Sequence, residues 1–245
     1  MLKGQTALIT GAAKRIGHDI ALALAKEGVN TVIHYNKSYK ESVNLCKKIR
    51  NIGVKAWYVQ GDFENIKETE KLLEKSLKIS NEKITLLINN ASIFLPSKFE
   101  DLTYNDLDRN IRINAWSAFT LIRSFSKIVK KGKIINLLDT RIKGYSSSFV
   151  AYKLSKRMLS DLTLISAIEL APDITVNAVA PGLILPPEGK DYEYIKKLSY
   201  NLPMKKHGSV KDVTDAVLFL LKSNFITGQI IYVDGGWHLQ CGEPV

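Results

Sequence analysis

The sequence predicts an α/β protein: a single domain over residues 1–245, built on one doubly wound parallel sheet of about seven strands with helices on both faces. Three observations predict it. Strand-like and helix-like stretches alternate along the whole chain, as repeated strand–helix–strand units require. The strand-like stretches are near-continuous apolar runs, which suit strands covered on both faces. No linker, internal repeat or low-complexity tract divides the chain.

The elements follow in order. Residues 6–10, Thr-Ala-Leu-Ile-Thr, are a short β-branched strand. Residues 15–27 carry apolar side chains at helical spacing (Ile16, Ile20, Leu22, Leu24), and Gly28 can end that helix. Residues 31–35 are a second strand, residues 38–50 a helix followed by Gly53, and residues 56–60 a third strand. A charged amphipathic helix is predicted over 65–77 and a fourth strand over 85–89. The spacing then predicts a long helix over 111–129, ended near Gly132, and a fifth strand over 133–138. A helix over 150–170 stops at Pro172, and residues 175–180 are the sixth strand. Residues 181–208 contain Pro181, Pro186, Pro187 and Pro203 and exceed an ordinary connection, so a substrate-binding loop or lid is expected there. A last helix over 210–221 and a last strand over 229–233 precede Asp234-Gly235-Gly236.

Composition narrows the function classes. The chain is 45% hydrophobic and 24% charged, an ordinary globular balance. No apolar run approaches the roughly 18 residues that a membrane span needs. A strand starting at Thr6 leaves no room for a signal peptide, and Cys46 and Cys241 are far apart and lack metal-ligand spacing. A reduced, cytoplasmic protein with no metal site is therefore expected. The net charge is +11, but lysines such as Lys47, Lys48, Lys130 and Lys131 come in scattered pairs. That pattern suits a solvated surface that attracts anions, a phosphate-bearing cofactor included, and not a nucleic-acid groove.

Thr10-Gly11-Ala12-Ala13-Lys14-Arg15-Ile16-Gly17 lies between the first strand and the first helix, where a dinucleotide fingerprint belongs. Gly11 allows the tight turn, Gly17 allows close helix–sheet packing, and the helix N-terminus offers N–H groups to a pyrophosphate. Arg15 stands where glycine is usual, and its guanidinium can reach a phosphate or the pocket beyond. The second strand ends His34-Tyr35-Asn36-Lys37-Ser38, with no acid before Glu41 to hold a ribose 2′-hydroxyl. Lys37 and Ser38 suit a 2′-phosphate, so NADPH is expected over NADH.

The reactive candidates lie in residues 139–156. Tyr152 and Lys156 are one helical turn apart, which puts phenol and ammonium on one face. A nearby cation is expected to lower the phenol pKa and make it a usable acid near neutral pH. Asp139 ends the fifth strand, at the sheet edge where that helix begins. Taken alone, Tyr-x-x-x-Lys is more often a solvated helix face than a site.

Together these motifs resemble the short-chain dehydrogenase/reductase family over essentially the whole chain. The matching pieces are residues 10–17, Asp62, Asn89-Asn90-Ala91-Ser92, Asn114, Tyr152 with Lys156, Val176-Asn177, Pro181-Gly182, Thr227-Gly228 and Asp234-Gly235-Gly236. The resemblance implies a Rossmann-like fold and a homotetramer. It implies that Tyr152 donates the proton, that Lys156 holds the nicotinamide ribose and that Asn114 anchors a relay water. Asp62 and Phe63 would flank the adenine; Asn89, Ala91, Pro181, Gly182 and Leu183 would line the ribose and nicotinamide. Gly11, Lys14, Arg15, Ile16, Gly17, His34, Tyr35, Asn36, Lys37, Ser38 and Ser92 complete the expected cofactor contacts.

Two departures carry substrate information. Most of the family has serine where this chain has Asp139, and glycine where it has Arg15. Both departures, with Asn89 to Phe94 reading Asn-Asn-Ala-Ser-Ile-Phe, resemble the pteridine reductase and dihydromonapterin reductase branch. That resemblance implies pterin contacts for Arg15, Ser92 and Phe94, with Asp139 and Tyr152 at the reacting atoms and residues 186–202 closing over them. A carboxylate opposes the negative charge that grows on a carbonyl oxygen, whereas a ring N–H can donate to it. The expected activity is NADPH-dependent reduction of dihydrobiopterin, dihydromonapterin or dihydrofolate to the tetrahydro form. The alternatives are a carbonyl reductase, for example of a 3-oxoacyl thioester, and a non-catalytic NADPH-binding regulator.

Overall fold

The computed structural model describes residues 2–187 and 189–240. Cys46 is a buried free thiol, and Cys241 lies outside the described residues. Seven strands form one sheet: β1 (Thr6–Ile9), β2 (Asn30–Tyr35), β3 (Ala56–Gln60), β4 (Ile84–Asn89), β5 (Gly132–Leu137), β6 (Ile174–Pro181) and β7 (Ile230–Val233). Every pairing is parallel, in the order β3-β2-β1-β4-β5-β6-β7. This is the predicted Rossmann-like doubly wound sheet.

The apolar runs have a direct explanation. Along a strand, successive side chains point to opposite faces. Ala7 and Ile9 of β1 pack into one core with Ile33, Leu86, Ile88 and Ile135, while Leu8 packs into the other with Val32, Leu87 and Ile134. The first core is closed by α1 (Arg15–Lys26), α2 (Tyr39–Ile52) and α8 (Val210–Lys222). The second is closed by α3 (Ile66–Ser80), α5 (Ser117–Ile128) and α6 (Val150–Glu169). Burying each Leu or Ile this way is worth roughly 1.5–3 kcal/mol, so polar alternation on either face would strip one helical layer of its footing.

Two helices differ from expectation. The predicted helix over 111–129 starts earlier, as α4 (Tyr104–Ile111), passes through a π-helical turn at Arg112–Trp116 and continues as α5. In that turn the Ser117 N–H reaches Arg112 O, and the Ser117 hydroxyl donates to Ile113 O at 2.6 Å. Inside residues 181–208 stands α7 (Tyr192–Ser199), capped by the Asp191 carboxylate accepting from the Tyr194 N–H. Neither α4 nor α7 shows a broad apolar stripe: α4 buries Asn110, and α7 buries Ile195 and Ser199. The cue for α4 was its capping box, in which the Thr103 side chain accepts from the Asp106 N–H and the Asp106 carboxylate from the Thr103 N–H. No helix among the described residues is long and apolar enough to cross a membrane.

The strand order reverses between β1 and β4, whose neighbours run outward in opposite directions. Connections leaving such a point diverge and open a crevice at the carboxyl ends of the strands. Register sets Ile9 beside both Ile33 and Ile88, so the turns after β1, β2 and β4 emerge at one level.

Candidate active site

A cleft of about 730 Å³ occupies this edge, within the size range of small-molecule sites. Gly11, Lys14, Arg15, Ile16, Gly17, His34, Tyr35, Asn36, Lys37, Ser38, Asp62 and Phe63 line one part of it. Ala91, Ser92, Phe94, Asp139, Tyr152, Lys156, Pro181, Gly182 and Leu183 line the rest. Two expected residues lie behind the wall, Asn89 and Asn114.

Asn89 is buried at the end of β4 and donates from Nδ2 to Asn136 Oδ1 of β5 at 2.8 Å. Strand alternation turns its neighbour Asn90 the other way. The Asn90 side chain donates to Thr10 O at 2.9 Å and Gly11 O at 3.0 Å, and so braces the glycine turn. Asn114 sits in the π-helical turn with its amide fully engaged. It accepts from the Ile93 N–H at 2.8 Å and the Ser92 hydroxyl at 3.1 Å, and donates to Ile93 O at 3.1 Å and Ser155 Oγ at 3.0 Å. Its side chain therefore ties the loop after β4 to α6.

The glycine turn is shaped by contact. Gly11 has φ +60°, and a Cβ there would stand 2.8 Å from Ala91 Cα. A Cβ on Gly17 would stand 2.5 Å from Asn90 Nδ2 and 2.7 Å from Gly11 O. Arg15 takes φ 56°, the left-handed region that glycine adopts freely, and donates to Pro186 O at 2.8 Å. The first turn of α1 has no acidic residue and no side-chain cap, so its N–H groups face the cleft without an internal acceptor. At the end of β2, the Ser38 side chain makes no capping hydrogen bond to α2, and Lys14 pairs with Glu41 at 2.9 Å.

His34 is a structural member of this wall. Its Nδ1 accepts from the Gly11 N–H at 3.1 Å, its Nε2 meets Gly61 O at 3.0 Å, and its ring stacks on Phe63 at 4.5 Å. Burial lowers its pKa from 6.5 to about 4. The unfolded chain then binds the proton more tightly, so stability falls as pH drops from 6.5 towards 4. At about 1.4 kcal/mol for each tenfold change in proton affinity, that loss reaches roughly 3 kcal/mol. Urea midpoints across this window should drop less steeply in His34→Asn; equal slopes in the two proteins would remove His34 as the cause.

The other end of the cleft holds the titratable groups. Phe149, at φ 51°, turns the chain into α6, which presents Tyr152 in its first turn. The Tyr152 hydroxyl donates to Asp139 Oδ2 at 2.9 Å, and Asp139 Oδ1 accepts from the Arg141 N–H at 2.7 Å. Lys156 is buried and donates to Leu137 O at 2.7 Å, with Nζ 5.9 Å from the centre of the Tyr152 ring. Burial lowers its pKa from 10.5 to about 8, against the pull of Asp139.

The expected effect of lysine on tyrosine is reversed here. Burial and the charge of Asp139 push the Tyr152 phenol well above 10.0, their hydrogen bond adds to the rise, and Arg141 opposes it. Burial disfavours the phenolate, and the carboxylate in hydrogen-bond contact with the phenol adds to the rise, while the Lys156 ammonium stands 5.9 Å from the ring centre. Tyr152 therefore holds its proton tightly and offers it as an O–H donor.

Phe149, Arg141 and Trp237 were absent from the sequence reading of this end. Phe94 stacks face to face on Phe149 at 4.3 Å and meets the Tyr152 ring edge-on at 4.8 Å. The Arg141 guanidinium lies near the rings of Phe94, Phe149 and Trp237. Ser92 Oγ is occupied by Asn114 and Ile93 O. Leu183, Ile184, Leu185, Pro187, Tyr194, Ile195 and Leu198 form the wall contributed by residues 181–208. Among the described residues, no cluster of three His, Cys, Asp or Glu side chains is placed to hold a metal ion. The arrangement is a buried proton donor and a carboxylate at one end of a long cleft whose other end offers backbone N–H groups and a basic rim.

Comparison with known proteins gives a consistent frame. The family model described as enoyl-(acyl carrier protein) reductase matches residues 11–238. The 3-oxoacyl-(acyl-carrier-protein) reductase FabG of Buchnera aphidicola is 32% identical, over 97% of this chain and 99% of the relative. The crystal structure of FolM alternative dihydrofolate reductase 1 from Brucella suis, in complex with NADP, matches with a TM-score of 0.93 at 32% identity, covering 98% of this chain and 97% of that one. A blue fluorescent protein from a metagenomic library, solved in complex with NADPH, matches with a TM-score of 0.88 at 27% identity, covering 96% of this chain and 98% of that one.

Proposed function

The chain belongs to the short-chain dehydrogenase/reductase family of oxidoreductases, and from that premise we propose that it is an NADPH-dependent reductase of a dihydropterin, producing the tetrahydro form. The observation that carries the substrate class is the Asp139 carboxylate, 2.9 Å from the Tyr152 hydroxyl. A carbonyl gains negative charge on oxygen as it is reduced, and a carboxylate at that point would oppose it. A dihydropterin ring offers N–H groups that donate to Asp139, and its C=N nitrogen needs a proton that Tyr152 holds. The fit of FolM alternative dihydrofolate reductase 1 supports the same substrate class.

The residues present fit NADPH. Gly11 and Gly17 leave a cradle that a Cβ would fill, beside the uncapped start of α1. There Gly11, Ile16 and Gly17 receive the pyrophosphate, and Lys37 and Ser38 receive the 2′-phosphate. Asp62 and Phe63 flank the adenine. Ala91, Pro181, Gly182 and Leu183 bound the nicotinamide, and Lys156 holds its ribose. When bound, the cofactor supplies the hydride. Tyr152 gives up its hydroxyl proton, Asp139 orients the ring, Phe94 and Arg15 bound the pterin, and residues 181–208 exclude water. Exposed Ile165 and Ile168 on α6 offer an apolar face for self-association, and a cytoplasmic homotetramer is part of the proposal.

The FabG relatives favour a second reading, reduction of a carbonyl such as a 3-oxoacyl thioester. NADPH oxidation measured over a panel of dihydropterins, a 3-oxoacyl thioester and simple ketones separates the two. Turnover of at least one dihydropterin is expected. A panel in which only carbonyl compounds react would overturn the pterin assignment.

A further inference from the structure

Arg141 is charged, lines the cleft and lies outside the family motifs described above. It stands two residues after Asp139, in the single 3₁₀ turn Thr140–Ile142 that follows β5. Its guanidinium carbon is 5.1 Å from the centre of the Phe94 ring, 5.6 Å from Phe149 and 5.3 Å from Trp237. Those three rings come from the loop after β4, the start of α6 and the segment after β7. One planar cation therefore touches three separate parts of the chain. Aromatic faces attract a cation most strongly where water is excluded, and the Arg141 side chain is only 21% exposed.

The same guanidinium faces the reacting pair. Arg141 Nη1 is 3.6 Å from Asp139 Oδ2, the oxygen that accepts from Tyr152, while the Arg141 N–H holds Oδ1 at 2.7 Å. Backbone and side chain of one residue thus grip both carboxylate oxygens. Two buried groups that hold each other through a hydrogen bond to a carboxylate need a countercharge nearby. Lys156 cannot be the whole of it, because its Nζ donates to Leu137 O and stands 5.9 Å from the centre of the Tyr152 ring.

We propose that Arg141 is a positioning residue for the Asp139–Tyr152 pair: pinned among Phe94, Phe149 and Trp237, it aims the Asp139 carboxylate at the Tyr152 hydroxyl and supplies the positive charge facing it. Arg141 acts through Asp139 and takes no part in proton transfer itself. The three rings fix the guanidinium, the guanidinium and turn fix the carboxylate, and the carboxylate fixes the phenol. A substrate ring entering beside Phe94 meets a donor and an acceptor already set at one angle. This inference rests on the pterin assignment, in which Asp139 and Tyr152 both serve the reacting end of the site.

The test is a double-mutant cycle on the full-length enzyme, run with a dihydropterin as substrate. Arg141→Met keeps length and packing but removes the charge. It should lower kcat roughly ten- to a hundredfold, the size that loss of a charge-assisted contact gives, with the Kd for NADPH, read by fluorescence titration, within about twofold. Arg141→Lys should recover part of the lost kcat, since it restores the charge but not the planar group that the three rings hold. On an Asp139→Asn background, Arg141→Met should cost less than about threefold, because its target has lost its charge. The proposal is overturned if Arg141→Met leaves kcat at the wild-type level, if Arg141→Lys is as poor as Arg141→Met, or if the fold-loss is the same on both backgrounds. Failure of the pterin assignment shows separately, as wild-type turnover of carbonyl substrates alone.

Discussion

Replacing Tyr152 by Phe is expected to lower kcat by about a hundred- to ten-thousandfold, the range of a lost general acid, while NADPH still binds. The substitution removes one oxygen and leaves the ring where Phe94 packs edge-on at 4.8 Å. What disappears is the O–H that donates to Asp139 Oδ2 at 2.9 Å. Among the polar groups at this end, Asp139 as a carboxylate accepts only, and one Lys156 N–H is engaged by Leu137 O. Loss of the phenol leaves the Lys156 ammonium, 5.9 Å from the ring centre, as a remaining titratable donor. Stopped-flow measurement of the chemical step, together with fluorescence titration of NADPH, separates lost chemistry from lost binding. Tyr152→Phe retaining more than a tenth of the wild-type rate would show that another group delivers the proton. The wild-type pH profile gives a companion check. Lys156, lowered to about 8, loses its charge as pH rises through that value, whereas Tyr152, held well above 10.0, stays protonated. The rate should therefore fall as pH passes about 8, and a profile flat to pH 10 would overturn an essential Lys156 ammonium titrating near 8.

The second large effect concerns the substrate. Asp139→Ser is expected to cut dihydropterin turnover by about a hundredfold or more, with ketone turnover unchanged or raised. The carboxylate is one of the causes that push the Tyr152 phenol up, through its charge and its hydrogen bond. Serine removes that charge, so the phenol becomes a stronger acid and the opposition to a developing oxyanion disappears. Both changes favour a carbonyl. A dihydropterin loses instead the acceptor for its ring N–H. Stability should change little, because Asp139 Oδ1 caps the following turn through the Arg141 N–H and serine is itself a capping residue. The two substrate classes should therefore move in opposite directions in one variant. Unchanged or improved dihydropterin turnover in Asp139→Ser would remove the basis for the pterin assignment.

The parts of the site legible in sequence are those where geometry is local. Tyr152 and Lys156 share a face because a helix turns every 3.6 residues. Gly11 and Gly17 are marked by the backbone approach that they permit, and the structure shows the collisions a Cβ would make there. The strands were legible because burial on both faces keeps the runs largely apolar, with few buried polar residues such as His34, Asn136 and Asn177 among them. The short helices α4 and α7 were not, since each is held by its cap and a few contacts and carries no long apolar stripe. Asn89 and Asn90 show the limit within a motif. Both were in view, but which one faces the cleft depends on strand parity at the end of β4, and Asn89 turns to Asn136.

By itself the sequence determined the seven strands, the glycine turn after β1, the lack of an acid at the end of β2 and the identities of Asp139, Tyr152 and Lys156. The tertiary structure decided what those groups do to one another. Sequence places a cation four residues from Tyr152, and on that count the phenol should be acidified. Folding buries the phenol, brings the Asp139 carboxylate into hydrogen-bond contact from another element and adds Arg141 from a turn. Loss of water disfavours the phenolate, and a nearby carboxylate disfavours it further. The sign of the Tyr152 shift is therefore set first by burial and then by a charge brought across the fold, neither of which spacing along one helix contains.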